Sequence, residues 1–155
     1  MNAHSATGFG QPWFALTVAF ACHVFDEAAT GFLSVYNPTV TALRTRWGWF
    51  PMPPFAFREW LLGLLAAVLL CFALTPVAAR NSRWLRPLAW FYALVMLFNG
   101  LGHTLFTILG HTVPSVTFAR PAPGFYSSPL LWIGSVWLIA RLLRTSENRH
   151  RRVPA

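Results

Sequence analysis

Four apolar runs, each close to the length that crosses a lipid bilayer, divide the chain between short stretches rich in arginine or proline. A membrane helix needs about 20 mostly apolar residues at a rise of about 1.5 Å each. Residues 13–36, 60–79, 87–110 and 128–143 meet that demand, the last of them only just. Trp13, Trp60 and Trp84 stand at or near the start of three runs, where indole rings favour the membrane interface. Only 10% of the 155 residues are charged, against about 25% in soluble domains. These features predict an all-α fold, a polytopic four-helix bundle forming one integral membrane domain, with residues 144–155 as a basic cytoplasmic tail.

The 12 positive side chains are all arginine and give a net charge of +8. They flank the apolar runs instead of making one basic face, so they orient a membrane protein and imply no nucleic-acid partner. With four crossings both termini lie on one side. Eight arginines fall on that side (80, 83, 86, 141, 144, 149, 151, 152) and four on the other (44, 46, 58, 120). The positive-inside rule then places both termini in the cytoplasm, and the small, lysine-free chain points to a bacterial inner membrane. No basic residue precedes the first run and no small-residue cleavage pattern follows it, so it is expected to stay in the mature protein. Cys22 and Cys71 lie inside apolar runs without metal or disulfide spacing and are expected to pack as small apolar residues.

The two outer connections are unusual. Residues 37–58, which contain "RWGWFPMPPFAF", and "HTVPSVTFARPAPGFYSSP" (111–129) mix helix breakers with aromatics, which predicts loops lying in the interface, the first a candidate lid. Glu59, heading the second run near the outer interface, is expected to be an interfacial acid paired with Arg58 or Arg44, the alternative being a place at the mouth of a site between the first and third runs.

Against this background "HVFDE" (23–27) stands out, because two of the four acids in the chain, Asp26 and Glu27, sit there beside a histidine. At about 100° per residue, His23, Asp26, Glu27, Thr30 and Ser34 form one stripe about 100° wide. It should face protein, since an ionised group facing lipid costs at least about 2.5–3.5 kcal/mol. In "NGLGH" (99–103), Asn99 and His103 share a face by the same spacing, with Gly100 and Gly102 allowing close helix approach. Counted from the helix starts, the two polar groups lie at similar depth in parallel spans. His23, Asp26, Glu27, Asn99 and His103 are therefore the candidate catalytic set.

The order of "HVFDE", "NGLGH" and "PGFYSSPLLW" resembles the HXXEE family of small integral membrane proteins. By that resemblance His23, Asp26 and Glu27 occupy the His-x-x-Glu-Glu motif, Asn99 and His103 an Asn-x-x-x-His element, and Pro123 with Gly124 a Pro-Gly turn. Asp26 replaces the first Glu of the motif, and Ser127 and Ser128 stand where a Thr is commoner. The resemblance implies architecture and no settled activity.

Two carboxylates so close in low dielectric are expected to share a proton unless a cation compensates. Acids, histidine and asparagine together suit acid–base chemistry on a lipid-soluble substrate such as an isoprenoid or sterol-like molecule. In design the set is similar to the emopamil-binding type of sterol isomerase, with Phe20, Phe25, Phe91 and Phe106 as possible pocket walls. The same groups, His23, Asp26, Glu27 and His103, are also a possible ligand set for zinc, iron or manganese. The alternative is a non-enzymatic lipid or ion binder or a proton-linked carrier, and the plainest reading is that the polar groups only hold helices together. The expected partners are membrane lipids and a hydrophobic small molecule.

Overall fold

Gly31 decides how the first apolar run folds. The helix that begins at Gly10, α1 (Gly10–Thr30), ends where Gly31 takes a left-handed conformation, φ 74°, its N–H reaching back to the Glu27 carbonyl. Such a backbone costs a residue with a side chain about 1–2 kcal/mol, and glycine is exempt. The chain leaves as α2 (Leu33–Arg46) at 87° to α1. Residues 13–36 are thus not one straight span, and part of the expected interfacial loop is helical. Ser34 drops out of the polar stripe and instead donates its hydroxyl to the Gly31 carbonyl at 2.8 Å.

The computed structural model describes residues 8–150, and side chains as far as residue 144; residues 1–7 and 151–155, including the end of the expected tail, lie outside the described residues. After α2 come α3 (Phe57–Ala79), α4 (Arg86–Leu109), a two-stranded antiparallel hairpin of β1 (His111–Val113) and β2 (Val116–Thr117), and α5 (Ser128–His150). The second and third apolar runs therefore form helices close to their expected limits. The fourth continues as helix through residues expected to belong to the tail, and the hairpin was not foreseen. Pro87 sits in the first turn of α4, where its missing N–H costs no hydrogen bond. Glu59 Oε2 accepts the Ala56 N–H at 3.4 Å, so it caps the start of its own helix instead of pairing with Arg58 or Arg44.

Among the described residues two helices, α3 and α4, are long and apolar enough to cross a membrane, and the bent α1–α2 pair qualifies as a third if it is one broken span. α5 is not counted with them. The helices pack in the order α3, α1, α5, α4. Two glycines set how closely neighbours approach. A Cβ on Gly10 would lie 2.5 Å from the Ala79 Cα, and one on Gly100 would lie 2.7 Å from the Trp132 ring, so any larger residue pushes the helices apart. Gly102, in contrast, has only Phe106 nearby, at 3.9 Å.

Trp13, Leu16, Phe20, Tyr92, Met96 and Leu131 form the middle of the core. Trp13 ties α1 to α3 through its indole N–H, which donates to the Cys71 carbonyl at 2.9 Å, and its ring lies 5.1 Å from that of Tyr92 on α4. Outside the core, Leu62, Leu69, Phe91, Phe98, Ile108 and Ile133 point outward and are exposed. A helical exterior this apolar is suited to lipid contact. Cys22 is exposed and Cys71 half-buried, so only the second fits the expected packing role.

Candidate functional site

The site forms where the last turns of α1 and α4 meet the start of α5. Ser127, just before α5, has its carbonyl accepting the N–H of Leu130, as expected of a residue that caps a helix. Its own N–H and hydroxyl both reach Asp26 Oδ2, each at 2.8 Å. The positive end of the α5 dipole thus faces a carboxylate, a stabilising arrangement.

That contact fixes the neighbouring histidine. Ser127 Oγ also lies 2.8 Å from His23 Nδ1 and 3.3 Å from the Gly124 carbonyl. A hydroxyl has one proton, and the carboxylate is its strongest acceptor. With that proton given to Asp26, the bond to His23 requires Nδ1–H to donate to Ser127 Oγ. In the neutral ring this leaves a lone pair on His23 Nε2. This nitrogen is buried without a hydrogen-bond partner, and it faces Glu27 Oε1 at 3.4 Å. His103 Nε2 lies 3.1 Å from the same oxygen. Two lone pairs turned toward each other in a dry interior repel, so the geometry calls for a positive centre between them, either a proton or a metal ion.

The three ligand atoms offered by His23, Glu27 and His103 all lie within 4.8 Å of one another, and all three residues are buried. The imidazole rings are 4.8 Å apart and set at 69°. Gly124 closes the site from the loop side with φ 81°. A Cβ there would lie 2.8 Å from His103 Cε1 and 3.0 Å from Glu27 Cγ, so glycine is needed both for its backbone and for the space. Its N–H donates to Thr30 Oγ1 at 3.0 Å, and Thr30 Oγ1 donates to the Asp26 carbonyl at 2.6 Å.

Two cavities border the cluster. The larger, about 230 Å³, is lined by His103 and Asn99 with Phe98, Phe106 and Phe118 among its apolar walls. The smaller, about 110 Å³, touches Glu27 together with Phe57 and Trp60. Phe32, at the α1–α2 break, borders both. Its ring lies 5.7 Å from His103 and 5.8 Å from Trp60.

Of the five residues expected to form the site, His23, Glu27 and His103 come together. Asp26 does not join them. Adjacent residues on a helix point about 100° apart, so it turns to Ser127 and is excluded from the expected four-residue ligand set. The two carboxylates do not face each other, which removes the reason for them to share a proton. Asn99 lines the larger cavity together with His103. Of the four phenylalanines named as possible walls, Phe106 lines this cavity, Phe20 is in the core beside Tyr92, and Phe25 and Phe91 face outward. Ser127 and Phe32 were not anticipated. The serine pair ahead of an apolar run is a helix-cap signal, but which side chain it would hold is a matter of tertiary packing.

No family model, no curated protein and no solved structure matches the chain. Its functional interpretation therefore rests on the geometry of the site.

Proposed function

We propose that the chain is an integral membrane enzyme of the HXXEE type that performs acid–base chemistry on a lipid-soluble substrate. One observation carries the proposal: a buried His23, Glu27 and His103 cluster opens, through His103 and beside Asn99, onto an apolar cavity. A merely structural polar cluster would be expected to satisfy its members, since each buried unpaired polar group costs about 1–3 kcal/mol. His23 Nε2, without a hydrogen-bond partner, has only the 3.4 Å approach of Glu27 Oε1.

The cavity, about 230 Å³, is below the range of about 300–1,000 Å³ usual for small-molecule sites. It therefore takes the reacting end of a lipid, with the remainder lying along the apolar exterior. A proton passes from the cluster to the substrate at the His103 face and another is removed, as in moving a double bond. Asn99 orients a substrate oxygen, and Phe98, Phe106 and Phe118 offer ring faces to a developing positive charge. An isoprenoid or sterol-like molecule meets these demands.

The arginine distribution supports four crossings in a bacterial inner membrane, with α1–α2 as the first, broken crossing and both termini in the cytoplasm. Lipid profiling of cells carrying the wild type or Glu27→Gln tests the function. Accumulation of one lipid species in the variant is expected, and identical profiles overturn the enzyme. A second reading, a lipid or ion binder or proton-linked carrier without turnover, is favoured by the two cavities that border the cluster. In that case the variant changes which lipid co-purifies with the protein and leaves cellular lipids unaltered.

A further inference from the structure

We propose that His23 Nε2, Glu27 Oε1 and His103 Nε2 bind a divalent first-row transition metal of the zinc or iron(II) type. Asp26, acting through Ser127, holds His23 in the ligating tautomer. The inference deepens the reading above, resting on the cluster being functional, and names the positive centre that the geometry calls for.

Three observations carry it. First, the hydrogen-bond chain from Asp26 through Ser127 to His23 Nδ1 leaves Nε2 as a free lone pair aimed at the other ligands. A histidine bound to a metal usually has its second ring nitrogen donating in this way to a fixed acceptor, which sets the ring and raises its basicity. Second, the spacing fits. Ligand atoms about 2.0–2.2 Å from a tetrahedral ion lie about 3.3–3.5 Å from each other. The Glu27 oxygen is 3.4 Å from one histidine nitrogen and 3.1 Å from the other. Ligand atoms of all three residues lie within 4.8 Å of one another, so a small contraction completes the site. Third, the charge can be compensated. A lone carboxylate between two neutral imidazoles is costly in this buried place, and a divalent ion with that carboxylate and a hydroxide in its open position makes a neutral complex.

Two imidazoles and one carboxylate leave at least one coordination position open, and both cavities border the ligands. A water in that position would be acidified by the ion. It would then be the group that gives a proton to the substrate at the His103 face and, as hydroxide, takes one back. Atoms and charge balance over the cycle, and no electrons move. Gly124 keeps the space around His103 and Glu27 free of a side chain.

The full chain, purified in detergent without chelator from cells supplied with zinc and iron, should contain about one equivalent of metal by elemental analysis. Glu27→Gln should lower that content at least about tenfold, and Asp26→Asn should weaken affinity about 10- to 100-fold. Asn99→Ala should leave it unchanged. A folding defect in a variant is bypassed by stripping the wild type with chelator and adding Co²⁺. Visible absorption that is lost on adding one equivalent of Zn²⁺ is expected. Less than about a tenth of an equivalent in the wild type, with no Co²⁺ absorption, overturns the proposal, as does undiminished metal in Glu27→Gln. Metal without lipid turnover contradicts the enzyme but not the metal site. Turnover without metal contradicts the metal site and makes the positive centre a proton on His23.

Discussion

Ser127 joins Asp26 to His23, because a single hydroxyl accepts from His23 and donates to Asp26. Replacing it by alanine leaves His23 Nδ1 without its acceptor and Asp26 Oδ2 with one donor instead of two. Ser127→Ala should lower stability in detergent by about 1–3 kcal/mol, read as a fall in unfolding temperature. Ser127→Thr, which keeps the hydroxyl, should recover most of the loss. Equal losses in the two variants would show that the hydroxyl is not what matters. At this scale His23, Glu27 and His103 were legible in the sequence, because ionisable residues in an apolar run must turn inward and the helical period says which share a face. The separate duties of Asp26 and Glu27 were not legible. Their divergence follows from the helical step, but what Asp26 would meet depends on α5, which is distant in the chain.

Among the elements, α3 and α4 followed their apolar runs closely, and the bend at Gly31 did not show. The residues on both sides of it continue a helical pattern, and a glycine inside a helix is tolerated often enough to pass unnoticed. The bend matters for the site because it carries Phe32 across the His103 ring and turns α2 to wall the larger cavity with Val35, Tyr36 and Thr39. Helix contacts have the same local logic. Gly100 is pressed against Trp132, whereas Gly63 has nothing within 4 Å of where a Cβ would be. Gly100→Ala should lower the unfolding temperature, by about 1–3 kcal/mol in stability. Gly63→Ala should raise it, by about 0.5–1 kcal/mol, from helix propensity alone. The same sign for both would contradict the packing of α4 on α5.

For the whole molecule, the proposed four crossings and the uneven division of arginine make a prediction about sidedness. Gly48, in the first outer connection, and Ser82, between α3 and α4, lie at opposite ends of α3. With Cys22 and Cys71 replaced, a thiol reagent that does not cross membranes should label Gly48→Cys in intact cells, and Ser82→Cys only after the membrane is opened. Labelling of both from outside would contradict the topology. The bundle also explains why the site is dry on one side and open on the other. α5 and the 118–127 loop seal His23, while the space beside His103 and Asn99 is left to the larger cavity.

The central claim is that protons move between this buried cluster and a lipid. It is tested most directly by incubating the purified protein in detergent and heavy water with lipids extracted from its host membrane, then measuring deuterium in each species by mass spectrometry. Wild-type protein should introduce deuterium at a carbon-bound position of one lipid class, and Glu27→Gln should not. No labelling above a protein-free control, or equal labelling by the variant, would contradict the account.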